Sequence, residues 1–171
     1  ADYYYVNKSS LPKVYGGFNT SLSWKGFDLS AIFAYSIGGY IYNRDITMIL
    51  HNGSLEGRDW STEILKRWTP DNRYTDVPAL STTSNNWNSA STRFLQNNSY
   101  MRLKNLTLSY NLPKQWISKL SLSSVQVYVQ GDNLFTIHRN QGLDPEQGIT
   151  GITYYRYPAM RTISGGINVS F

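Results

Sequence analysis

Five segments of the chain alternate apolar and polar side chains with a period of two residues, and this pattern limits the fold more than any other feature. Successive side chains of a β-strand point to opposite faces of its sheet, so each segment is predicted to be a strand with one apolar and one polar face. The segments cover 14–24, 27–37, 100–112, 125–132 and 162–171. We therefore expect an all-β protein with about five antiparallel strands.

The residues on the predicted apolar faces are mostly aromatic, Leu, Val and Ile. The main ones are Phe18, Leu22, Trp24, Phe27, Leu29, Phe33, Leu106, Leu108, Tyr110, Val127 and Ile167. Ser, Thr, Asn and Gln occupy most of the alternate positions, and Ile32 departs from the pattern of the second segment. A soluble β-sandwich and a membrane β-barrel share this alternation, so it does not separate the two folds.

The lengths of the connections favour the barrel. Lys25-Gly26 and the stretch 113–117 are short links, whereas 41–99 and 136–157 are long. Outer-membrane barrels alternate short periplasmic turns with long outer loops, which is the order found here. Aromatic residues also sit near both ends of the predicted strands, as in the interfacial girdles of barrels: Trp24, Phe27, Tyr110 and Phe171 at one end, and Tyr35 and Phe135 at the other.

Composition excludes several functional classes. Aromatic residues make up 15% of the chain and charged residues only 16%, compared with about 25% in typical soluble domains. The net charge of +5 comes without a Lys/Arg cluster, so nucleic-acid binding is not expected. There is no cysteine, and His51 and His138 have no partner at metal-ligand spacing. With no catalytic constellation either, the sequence predicts no enzyme, no metal site and no cofactor.

The long connection 41–99 contains one helical stretch, Asp59 to Trp68, which ends before Pro70. We expect a short helix here, packed against the rim of the barrel. The apolar residues available for that packing are Trp60, Ile64, Leu65 and Trp68.

Four stretches resemble the SusC/RagA family of TonB-dependent outer-membrane transporters. They are YGGFNTSLSWKGFDLSAIFAY at 15–35, RWTPDN with DVP at 67–78, SYMRLKNLTLSYNLP at 99–113, and GDNLFT with GLDPE at 131–146 followed by Tyr157-Pro158, Arg161-Thr162 and the final Phe. The resemblance implies that residues 1–171 are the C-terminal part of a large transmembrane β-barrel, without its plug and remaining strands.

The same resemblance implies an importer of oligosaccharides or peptides in the bacterial outer membrane. Its expected partners are a SusD-like lipoprotein, outer-membrane lipid, the barrel-assembly machinery, and TonB through an N-terminal region not present here. Phe171, with Val169 and Ile167 before it, is implied to be the signal for barrel assembly. A soluble carbohydrate-binding β-domain is the alternative, and a surface hydrolase is a weaker one.

Residues of the strand ends and loops are candidates for outer contacts. Counted by alternation, Arg102, Lys104 and Arg161 lie on the apolar side at the outer rim, where they could pair with lipopolysaccharide phosphates or simply extend into water. The loop residues proposed to contact a ligand or a lid protein are Trp87, Tyr154, Tyr155 and Arg156. Asp144-Pro145-Glu146 is interpreted as a structural turn rather than a calcium site, because two acids do not supply the oxygen ligands that calcium needs.

Overall fold

A computed structural model describes residues 4–52, 57–81, 83, 89–120, 122–140, 142–146 and 148–171. Its strands are β1 Val14–Trp24, β2 Phe27–Ile37, β3 Tyr40–Asn43, β4 Leu95–Asn97, β5 Tyr100–Asn111, β6 Ser124–His138, β7 Ile152–Thr153 and β8 Thr162–Ser170. The helices are α1 Arg44–Ile49 and α2 Lys114–Ile117, with 3-10 turns at Thr62–Lys66, Thr92–Phe94 and Ser118–Leu120. None of the helices in the described ranges is long and apolar enough to cross a membrane.

The chain divides into two compact units. The sheet unit consists of Leu11–Gly39, Asn98–Glu146 and Tyr157–Phe171. The loop unit consists of Ala1–Ser10, Tyr40–Asn97 and Gln147–Arg156. The five predicted strands belong to the sheet unit, and most of the long connection between the second and third of them belongs to the loop unit.

The sheet unit is one antiparallel sheet with strand order β1-β2-β5-β6-β8. The predicted five strands, their antiparallel pairing and the tight first turn are therefore confirmed. Lys25 and Gly26 form that turn with φ of 48° and 88°. Positive φ at both central residues gives the turn a twist that matches the flanking strands. The all-β fold follows directly from the period-two pattern.

The apolar residues lie in rows across one face of this sheet. Trp24, Phe27, Tyr110, Val127 and Ile167 are paired in register along the row nearest the first turn. The rings of Phe27 and Tyr110 are 4.5 Å apart, which is the distance of a favourable cross-strand aromatic pair. The described residues of the sheet unit leave this face uncovered, as the 64% exposure of Ile167 shows.

A ladder of hydrogen bonds between side chains crosses the opposite face of the sheet. The Ser23 hydroxyl donates to Asp28 over 2.5 Å, and the Asn111 amide donates to the other Asp28 oxygen over 2.7 Å. The Gln126 amide then donates to Asn111 over 3.2 Å, and Asn168 donates to Gln126 over 3.1 Å. One connected polar row thus links all five strands, and we call it the polar ladder.

The loop unit contains a small three-stranded sheet with the order β4-β3-β7, in which β3 and β7 run parallel. The helix predicted at 59–68 is shorter in the structure, a 3-10 segment at Thr62–Lys66. It starts at Ser61, whose hydroxyl accepts the Glu63 N–H over 3.3 Å. It ends because Arg67 adopts an extended ψ of 155° and the Trp68 N–H then bonds to the Val77 carbonyl over 2.8 Å.

The packing predicted for that helix is only partly correct. Ile64 is buried against Val77, in the same unit. Leu65 is 73% exposed, so the prediction that it packs is wrong. The helical stretch spans only Thr62–Lys66, so the longer apolar stripe from Trp60 to Trp68, on which the predicted packing depended, does not form.

Candidate functional site

A β-bulge at Lys104 reverses the alternation of β5. Ile32 of β2 pairs with Asn105, but the next residue, Phe33, pairs with Leu103, so Lys104 has no partner of its own in this register. One extra residue exchanges the two faces for the remainder of the strand. The prediction that Arg102 lies on the apolar side is therefore wrong.

Arg102 instead lies on the polar face, in register with Ala34 and Thr136. Its side chain is only 3% exposed. Its Nε donates to the Thr136 hydroxyl over 2.8 Å, and its two terminal nitrogens contact Asp144 at 2.5 Å and Glu146 at 2.8 Å. A planar guanidinium with donors in a fork is suited to this arrangement, in which its donors are used by two carboxylates and a hydroxyl.

Lys104 completes the cluster, since its ammonium lies 2.6 Å from Glu146. We call Arg102, Lys104, Asp144 and Glu146 the loop latch, because two strand residues hold two residues of the connection between β6 and β8. The burial of Arg102 contradicts the expectation that it contacts lipopolysaccharide. For Lys104 and Arg161 that contact stays a prediction.

Asp144 is the central acceptor of the loop latch. Besides Arg102, it accepts the backbone N–H of Glu146 over 2.9 Å and that of Ala159 over 2.7 Å. Burial by itself would raise the pKa of the Asp144 carboxyl, but the two backbone hydrogen bonds and Arg102 outweigh it and lower the pKa below its usual value. The carboxylate is thus charged at neutral pH, and the Asp144-Pro145-Glu146 turn is held in place.

A cleft of about 540 Å³ lies beside the loop latch. Arg102 and Asp144 line one part of it, and Phe135, Pro158 and Arg161 line others. Arg161 is exposed at this cleft. The cleft therefore places the exposed Arg161 next to an ion-pair cluster in which Arg102 and Asp144 are buried.

Tyr154 and Tyr155 form a second candidate site, within the loop unit. The parallel register of Asn43 with Thr153 places the first residues of α1 beside the residues that follow β7. The two tyrosine rings are 4.3 Å apart. Tyr155 has a φ of +49°, and its N–H donates to the Asp45 carboxylate over 3.0 Å. A positive φ is rare for a residue with a large side chain and is often found at functional sites.

Two arginines flank this tyrosine pair. The Arg44 guanidinium stacks on the Tyr154 ring, with its carbon 4.6 Å from the ring centroid. Arg58 donates to the Tyr155 hydroxyl over 3.3 Å. Arg44, Asp45 and Arg58 were not predicted from the sequence, because the parallel pairing that unites them with the tyrosines joins segments about 110 residues apart.

The other predicted site residues have different outcomes. Arg156 is exposed in the loop unit, and Trp87 lies outside the described residues. Ile167 and Val169 pair with Val127 and Val125 at the end of β8. Phe171 follows the last strand residue and is 92% exposed, and its role in assembly stays a prediction.

Each histidine ring contacts a neighbouring residue of its own unit. His51 is buried and accepts the Trp60 ring N–H over 3.0 Å, and the His138 ring contacts the Asn140 carbonyl over 2.9 Å. Over the described ranges, no group of three or more His, Cys, Asp or Glu residues is placed to hold a metal ion.

Comparison with curated proteins gives three similar sequences. TonB-dependent receptor P3 of Formosa agariphila is 34% identical over 91% of this chain and 16% of that protein. TonB-dependent receptor P26 of the same organism is 31% identical over 95% of this chain and 17% of that protein. TonB-dependent receptor SusC of Bacteroides thetaiotaomicron is 27% identical over 98% and 16%. The chain thus spans about a sixth of these relatives, and no protein-family model matches it.

Solved structures agree with the sequence relatives. The chain is similar to one chain of the RagAB peptide importer in its closed-closed state, with a TM-score of 0.84 and 35% identity over 97% of this chain and 18% of that chain. The open-open state gives a TM-score of 0.85 with the same coverage. These relatives are receptors and transporters rather than enzymes, as predicted. The resemblance to the SusC/RagA family of TonB-dependent receptors is thus confirmed over nearly the whole length of this chain.

Proposed function

We propose that this chain forms part of the barrel wall and outer loops of a TonB-dependent importer in the bacterial outer membrane. The observation that carries the proposal is the two-faced antiparallel sheet, which matches a RagAB chain with a TM-score of 0.84 at 35% identity. Residues 1–171 would be the C-terminal part of the barrel, and the plug and remaining strands would lie elsewhere in a longer protein.

The two faces of the sheet have different roles in this proposal. The apolar face, on which Leu22 and Ile167 are largely exposed, would contact lipid. The polar ladder would face the interior of the barrel, where water and the plug can satisfy its remaining donors and acceptors. Antiparallel pairing on both sides satisfies the backbone groups of the inner strands β2, β5 and β6, which a span through lipid requires. The outer sides of β1 and β8 would pair with the remaining strands of the barrel.

The chain would serve transport without chemical catalysis. Energy would come from TonB, through contacts made by another region of the protein. The substrates would be oligosaccharides or peptides. RagAB is a peptide importer, which supports the second class. The outer loops would meet a SusD-like lipoprotein and the substrate, with Tyr154, Tyr155, Arg156 and Trp87 as candidate contacts.

Uptake by whole cells tests this proposal. Deleting the gene that encodes this chain should lower uptake of labelled oligosaccharides or labelled peptides to background, and deleting tonB should have the same effect. Restoring the gene is the control. The intact receptor, purified from outer membranes, should also retain a lipoprotein partner. Unchanged uptake of both substrate classes after the gene deletion would contradict the import function.

A further inference from the structure

We propose that the loop unit binds a carboxylate group of the transported ligand through Arg44 and Arg58, with Tyr154 and Tyr155 stacking against the adjoining part of that ligand. We call these four residues the arginine–tyrosine site. The inference rests on the proposed import function and adds to it the chemical class of the ligand.

The guanidinium groups of Arg44 and Arg58 are available to bind an anion. Both side chains are exposed, and among the described residues neither Arg44 nor Arg58 takes part in a salt bridge. The Arg44 guanidinium carbon lies over the Tyr154 ring, 4.6 Å from its centroid. Among the described residues, its side-chain N–H donors make no hydrogen bond, so they can bind a carboxylate with two parallel hydrogen bonds.

Contacts with Asp45, Arg58 and Met48 hold Tyr155 in position before any ligand arrives. Asp45 holds the Tyr155 backbone over 3.0 Å in its unusual φ of +49°. At the other end of the side chain, the Tyr155 hydroxyl contacts Arg58 at 3.3 Å and the Met48 sulfur at 3.5 Å. Fixing a side chain in advance removes part of the entropy that binding would otherwise cost.

The rings of Tyr154 and Tyr155 form an exposed aromatic surface beside the two arginines. Tyr154 is 43% exposed and Tyr155 is 67% exposed, although their rings are in contact with each other. Amphipathic rings with an arginine beside them are typical of binding hot spots. Among the described residues, Asp45 is the acid in contact with the pair, and the Tyr155 N–H already occupies one of its oxygens. The local charge therefore favours an anion.

Carboxylates occur in both proposed substrate classes, as the free C-terminus of a peptide and as the acid group of a uronic sugar. Binding to the purified intact receptor would use two matched probe pairs. One pair is a short peptide and its C-terminal amide, and the other is an oligogalacturonide and its methyl ester. We expect the acid of one pair to bind at least tenfold more tightly than its neutral counterpart, and that pair identifies the source.

The double variant Arg44→Gln/Arg58→Gln should lower affinity for the acid probe about tenfold or more and leave the neutral probe nearly unchanged, since a hydrogen bond between charged groups contributes more than a neutral one. Arg44→Lys/Arg58→Lys should be intermediate, because it keeps the charge but loses the fork. Arg73→Gln is the matched control, an exposed arginine of the same unit whose Nε donates to the Pro70 carbonyl over 2.9 Å.

Equal affinity for acid and neutral probes, or an equal loss for both in the glutamine variant, would overturn the arginine–tyrosine site. Failure of every probe to bind would overturn it as well. Cellular uptake reports on the import function separately, so TonB-dependent uptake of a ligand without any preference for the carboxylate would refute this inference alone.

Discussion

Replacing Arg102 with Met is expected to release the connection between β6 and β8 from the sheet. The variant keeps the length and apolar stem of the side chain but leaves the Asp144 carboxylate, 8% exposed, without its cation. Removing one partner of a buried ion pair typically costs about 3–5 kcal/mol. A loss of about 3 kcal/mol corresponds to a roughly hundredfold shift of the local opening equilibrium.

Hydrogen exchange in the intact receptor measures this effect directly. The amides of Glu146 and Ala159 both donate to Asp144, so their protection should fall by about two orders of magnitude in the Arg102→Met variant. Arg161→Met removes a positive charge from the same cleft but from an exposed side chain, and it should change protection little. Adding Asp144→Asn to Arg102→Met removes the unpaired charge but leaves a single acceptor oxygen, so protection should recover at no more than one of the two amides. Unaltered exchange in Arg102→Met would show that the loop latch does not hold the loop.

Deleting Phe171 is expected to lower strongly the amount of folded receptor in the outer membrane. In the structure its ring is 92% exposed and makes almost no contact that holds the sheet together. Loss of one ring at a lipid interface would remove at most about 1.5–3 kcal/mol from a large barrel. If Phe171 is also read during assembly, the yield of inserted protein should fall several-fold at least, even though the remaining strands are unchanged.

Trp24→Ala is the matched control for this deletion. Trp24 is an exposed aromatic residue at the same end of the sheet, in the row of Phe27 and Ile167. Its loss removes a larger ring without touching the terminus, so it should lower the yield less. Heat-modifiable migration of outer-membrane fractions gives the folded amount. Equal yields of the two variants would mean that Phe171 contributes a contact and no signal.

Much of the sheet could be predicted from local sequence alone. Alternation identified all five strands because each strand has one apolar side, and Lys25-Gly26 marked the first turn because few residues other than glycine favour a positive φ. Pairing each of these strands with the next one along the chain then gives the observed order of the sheet. The aromatic row at the first turn follows from the same register.

The features that were missed depend on register rather than on composition. The bulge at Lys104 shifts β5 by one residue, which moves Arg102 from the predicted apolar side to the polar face. A signal was present, since the apolar residues of this strand change from even positions at Leu106 and Leu108 to odd positions at Met101 and Leu103.

The arginine–tyrosine site had no comparable signal. Its tyrosines follow β7, a strand of only two residues, and its first arginine follows β3. Strands this short show no usable periodicity, and their parallel pairing joins distant parts of the chain. Tyr154 and Tyr155 were predicted as contacts from residue type alone, but the arginines and the carboxylate that position them were not.

Cysteine accessibility in the intact receptor tests most directly whether this sheet is a lipid-facing wall. Adjacent residues on opposite faces provide matched pairs: Leu22 with Ser21, Leu29 with Ser30, and Ile167 with Asn168. Cysteines replacing Leu22, Leu29 and Ile167 should resist a membrane-impermeant, polar maleimide in outer-membrane vesicles opened to both sides. Cysteines at Ser21, Ser30 and Asn168 should react at least tenfold faster, because the alternation directs them to the barrel interior. Equal reaction rates within the three pairs would contradict the assignment of this chain to a membrane barrel.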